Sequence, residues 1–79
     1  MEKTARLDSF LSGDSLIMEE VLDSQLSIQL YCMGCLPGEK ITIERIAPFG
    51  DPMIISVEDT FISLRKDDAH KICVKRTES

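Results

Sequence analysis

Asp23–Ile46 reads DSQLSIQLYCMGCLPGEKITIERI, and its hydrophobic period changes in the middle. In the first half Leu26, Leu30 and Met33 recur at i, i+4 and i+7, which places them on one face of a helix. Asp23 and Ser24 stand where side-chain oxygens can accept from the free N–H groups of a first helical turn. Gly34 stands just past the stripe, where a left-handed cap is wanted. Pro37-Gly38 then supplies a turn, because proline fixes φ and glycine tolerates φ > 0. From Glu39 onward the period is two: Ile41, Ile43 and Ile46 against Thr42 and Glu44, a strand with one buried face. The expectation is one helix between Asp23 and Met33, followed by β structure.

Working outward, Ser15 to Leu22 reads as a strand, and Leu7, Phe10 and Leu11 as a short apolar plug for one end of the core. On the other side, Ala47 to Pro52 (APFGDP) breaks the chain with two prolines and a glycine. Met53 to Val57 is the next strand, Asp59-Thr60 a tight turn, and Phe61 to Arg65 another strand with Ile62 and Leu64 on one side. Asp67 to Lys71 reads as one helical turn and Ile72 to Lys75 as a last strand. Five short strands and one helix predict a mainly β fold, a small barrel forming a single domain over residues 1–79.

A chain of 79 residues needs nearly all its apolar side chains for one core, which leaves little for a catalytic cleft. Its formal net charge is −5, and its basic residues form no stripe, so nucleic acid and anionic lipid are disfavoured partners. No apolar run approaches the ~20 residues needed to span a bilayer, and Met1 to Phe10 lacks the apolar centre of a signal peptide. Three cysteines, an odd number, fit reduced thiols in a cytoplasmic protein.

Cys32-Met33-Gly34-Cys35 and His70-Lys71-Ile72-Cys73 together offer a Cys₃His set, the composition of a structural zinc site. Against it, Cys35 falls where the helix meets the barrel, and strand alternation turns Cys73 away from the core. We therefore expect no native metal and no cofactor. A redox pair is disfavoured because the helix C-terminus opposes thiolate. No nucleophile, base and orienter converge, so no catalytic residue is assigned. Gly34 to Ile41 has the wrong spacing for a phosphate loop, and Pro37 removes an N–H that such a loop would use. Tyr31, Leu36, Phe49 and Phe61 lie off the core stripes and are the candidate partner-binding residues.

Several segments in this order resemble the ferrous iron transport protein A family: Gly34-Cys35-Leu36-Pro37-Gly38, Ile41-Thr42-Ile43, Ala47 to Pro52, Ile62 to Lys66 and Ala69 to Val74. The resemblance runs from about Leu7 to Val74. It implies a five-stranded SH3-like barrel with a helix. It also implies a non-enzymatic cytoplasmic accessory recruited to the inner membrane by ferrous iron transport protein B, a transporter carrying a G-protein domain. The alternative function is a small metal-binding or metal-sensing module using the Cys and His residues. The helix departs from the family's arginine-rich run, since Leu26 to Leu30 carries no charge.

Overall fold

The computed structural model describes residues 5–77. Strands β1 (Ala5–Arg6), β2 (Ser15–Val21), β3 (Lys40–Ile46), β4 (Met53–Val57), β5 (Thr60–Leu64) and β6 (Ile72–Arg76) form one sheet in the order β1-β6-β2-β3-β4-β5. Every pairing is antiparallel. Helix α1 (Ser24–Cys32) joins β2 to β3, and a four-residue helix α2 (Lys66–Ala69) joins β5 to β6. A 3-10 turn, Leu7–Ser9, follows β1.

The period change in Asp23–Ile46 is realised as expected. Asp23 caps α1, its carboxylate accepting from the Leu26 N–H at 3.3 Å. Leu26 and Leu30 are buried, but Met33, the third residue of the expected stripe, is exposed. The helix ends one residue earlier, and Gly34 takes φ +87° to reverse the chain. The Cys35 N–H then reaches back to the Leu30 carbonyl at 2.8 Å, so Cys35 occupies the core place expected of Met33.

Two bulges bend the sheet, one between Met18 and Glu20 and one between Ile43 and Arg45. The second lets Ile43 and Ile46, three residues apart, face the same side: Ile43 pairs with the buried Ile55 and Ile46 with the buried Met53, Ile46 being partly buried at the end of the strand. Leu7, Leu16, Ile41, Ile55, Ile72 and Val74 fill the enclosed space, each contributing about 1.5–3 kcal/mol by burial.

Three boundaries differ from expectation. The turn after β4 is Glu58-Asp59, with Thr60 already in β5, because Glu58 itself adopts φ +54°. The second helical turn begins at Lys66, whose N–H is held by the Asp51 carboxylate at 3.3 Å. A sixth strand, β1, adds to the expected five. Of the expected N-terminal plug, Leu7 is buried and Phe10 packs at the margin beneath Arg76, 5.1 Å from its ring, while Leu11 is exposed.

Candidate functional site

Tyr31, Phe49 and Phe61 are exposed, Phe49 most of all at 92%. Leu36, expected to point outward with them, is half-buried, since the Gly34 reversal lays it back toward the barrel. The four residues stand on separate elements. Tyr31 lies in the last turn of α1, Leu36 in the turn after it, Phe49 in the β3–β4 loop and Phe61 on β5. Tyr31 has a neighbour the sequence reading passed over: Ile28, three residues earlier and 64% exposed. The two share the helix face opposite Leu26 and Leu30, and the i, i+3 spacing was the available signal. The exposed side of α1 is thus free of charge, with Ile28 and Tyr31 set among the polar Ser24, Gln25, Ser27 and Gln29.

The thiols separate according to the elements that carry them. Cys32 is exposed at the end of α1, Cys35 is buried, and Cys73 is half-buried on β6. Cys73 lies between the buried Ile72 and Val74 and so faces the other side of the sheet from them. The Cys35 thiol points at the Met18 sulfur, 3.4 Å away. Burial, with a smaller contribution from the Glu39 carboxylate, pushes it from 9.0 to about 11. His70 is elsewhere, exposed at the end of α2, with Nδ1 3.1 Å from the Asp8 carboxylate. Among the described residues, no group of three or more His, Cys, Asp or Glu is placed to hold a metal ion.

The outer face of the sheet carries hydroxyls and a carboxylate beside Ile17 and Ile54. The Ser56 hydroxyl donates to Glu44 Oε2 at 2.6 Å, and the Ser15 and Thr42 hydroxyls lie 3.4 Å apart. Phe61 stands directly across from Ser56 on this face, the one large apolar side chain of its strand to do so.

A small antiparallel sheet, bent by bulges around one core and closed at one end by a helix, is the architecture of SH3-like barrels. The FeoA domain model matches residues 5–76, and the chain belongs to the FeoA family. Solved relatives agree. A FeoA-like protein from Clostridium acetobutylicum is 28% identical, with a TM-score of 0.86 over 100% of this chain and 93% of that one. An iron uptake regulatory protein, FeoA, is 27% identical, with a TM-score of 0.80 over 95% of this chain and 99% of the other. The fold is shared with Stenotrophomonas maltophilia FeoA, described as a prokaryotic SH3 domain protein. That protein is 24% identical, with a TM-score of 0.77 over 89% of this chain and 88% of that one.

Proposed function

We propose that this chain is a non-enzymatic accessory of bacterial ferrous iron uptake that binds the cytoplasmic part of the membrane ferrous iron transporter, the one carrying a G-protein domain. Membership of the FeoA family over residues 5–76 is the observation that carries this reading. No helix among the described residues is long and apolar enough to cross a membrane, so the reading has the transporter bring the chain to the membrane.

Docking runs through apolar surface. The exposed side of α1, with Ile28 and Tyr31, has no charge to offer, and the chain as a whole is acidic. Tyr31 is the anchor of this surface, with the half-buried Leu36 five residues on and Phe49 as the most exposed large apolar residue. Apolar docking depends weakly on salt, whereas charge-steered docking weakens as the Debye length shrinks.

The test is calorimetric titration of the transporter's soluble domain with wild type, Tyr31→Ala and Phe49→Ala at low and high salt. Binding should survive high salt, and Tyr31→Ala should weaken it by roughly 1–2 kcal/mol. Binding that collapses in salt and ignores both substitutions contradicts the apolar surface. No binding at all contradicts the accessory role.

A further inference from the structure

We propose that β5 is a self-pairing edge, through which two copies of this chain join antiparallel into one continuous sheet. The inference goes beyond the transporter reading and does not rest on it.

The edge is open. β5 is last in the strand order, and among the described residues it pairs only with β4 and no backbone hydrogen bond outside that ladder reaches Phe61 or Ser63. The direction of its free groups follows from the hairpin. Glu58-Asp59 is a two-residue turn, so Val57 and Thr60 form the hydrogen-bonded pair that closes it. Alternation makes Ile55–Ile62 and Met53–Leu64 bonded pairs as well. Phe61 and Ser63 therefore aim both their N–H and their C=O groups away from β4.

Nothing blunts the edge. Thr60-Phe61-Ile62-Ser63-Leu64 contains no charge, proline or glycine, and its ladder with β4 has no bulge. Phe61 adds an exposed aromatic ring beside it.

The flanking charges select a second copy as the occupant. Two β5 strands related by a two-fold axis at Ile62 set Phe61 opposite the partner's Ser63 and Thr60 opposite the partner's Leu64. In that register the outward N–H and C=O groups of Phe61 and Ser63 meet their counterparts, giving four hydrogen bonds. Beyond the strand ends, the same arrangement brings the Glu58-Asp59 turn of each copy to the Arg65-Lys66 end of the other, with Asp59 nearest the partner's Arg65. These four charges are exposed, and none forms an ion pair among the described residues. Residues 58–66 (EDTFISLRK) thus have two acids at one end, two bases at the other and no charge between, the pattern an antiparallel self-pair requires. The two Phe61 rings then lie diagonal to each other on one face, about 7–8 Å apart at the backbone and within reach of contact.

Sedimentation equilibrium of the full chain tests this. A five-residue edge gives a weak dimer, half-formed at roughly 100 µM. Arg65→Asp sets acid against acid at two symmetric places and should weaken the dimer about tenfold. Combining it with Asp59→Arg restores opposite charges in the same register and should restore the dimer. Ser63→Pro removes an outward N–H without touching the ladder to β4, so it should give a folded monomer. A monomer near 1 mM overturns the proposal, as does a dimer that ignores Ser63→Pro or is not rescued by the double substitution. A monomer whose Phe61 and Ser63 amides are protected only by the transporter's soluble domain also overturns it and gives the edge to that partner.

Discussion

The sheet has two edges, and they are built differently. At β1 the described strand, Ala5–Arg6, ends in the charged Arg6, whose Nη1 donates to the His70 carbonyl at 2.8 Å. The 3-10 turn that follows buries Leu7, and its Asp8 contacts His70. That edge is charged and tied to the end of α2, a combination that discourages further pairing. At β5 the strand is five residues long, uncharged and regular. One edge is spent on holding the fold together, and the other keeps its backbone groups for a partner.

The comparison requires β5 to be rigid on its inner side while open on its outer one. Its inner residues Ile62 and Leu64 belong to the core. Leu64→Ala should therefore lower unfolding free energy in urea by about 2–5 kcal/mol. A loss below roughly 0.5 kcal/mol, typical of surface substitutions, would make β5 a loosely attached ribbon and end the comparison.

Alkaline titration probes the core from the helix side. The folded chain holds the Cys35 proton up to about 11, whereas the unfolded thiol releases it near 9.0. Between those values the native state binds more protons, so stability should fall as pH rises from 9 toward 11. Cys35→Ala should flatten that part of the profile. An equally steep fall in the variant would assign it to other groups.

Arg6→Ala removes the tie that closes the β1 edge and should cost about 0.5–1 kcal/mol in thermal unfolding, the range of one exposed hydrogen bond. Phe61→Ala should change the stability of the dilute monomer by no more than about 0.5 kcal/mol, since its ring is largely in solvent. A cost as large as that of Leu64→Ala would mean that Phe61 is structural and not available to a partner.

The sequence displayed what repeats. Ile41 and Ile43, Ile62 and Leu64, and Leu26 and Leu30 all sit at spacings that a period of 2 or 3.6 can reveal, and all are buried. It did not display what is set by backbone conformation. The Gly34 reversal moves Cys35 into the core and leaves Met33 out, and the positive φ of Glu58 starts β5 one residue early. The bulge after Ile43 likewise hides from any pattern of strict alternation. Exposure of Tyr31, Phe49 and Phe61 was legible because each breaks a core stripe. Leu36 broke the stripe too, yet the turn folds it half inward. The free edge was not legible at all, because strand order depends on which strands meet and not on any one strand's residues.

Amide hydrogen exchange followed residue by residue, at about 10 µM and about 1 mM, addresses the difference between the edges most directly. Ile62 and Leu64 N–H groups, bonded to β4, should be protected at both concentrations. Phe61 and Ser63 N–H groups should exchange freely in the dilute sample and become protected in the concentrated one, while β1 stays unchanged. Phe61 and Ser63 amides already protected when dilute, or still unprotected when concentrated, would contradict the account.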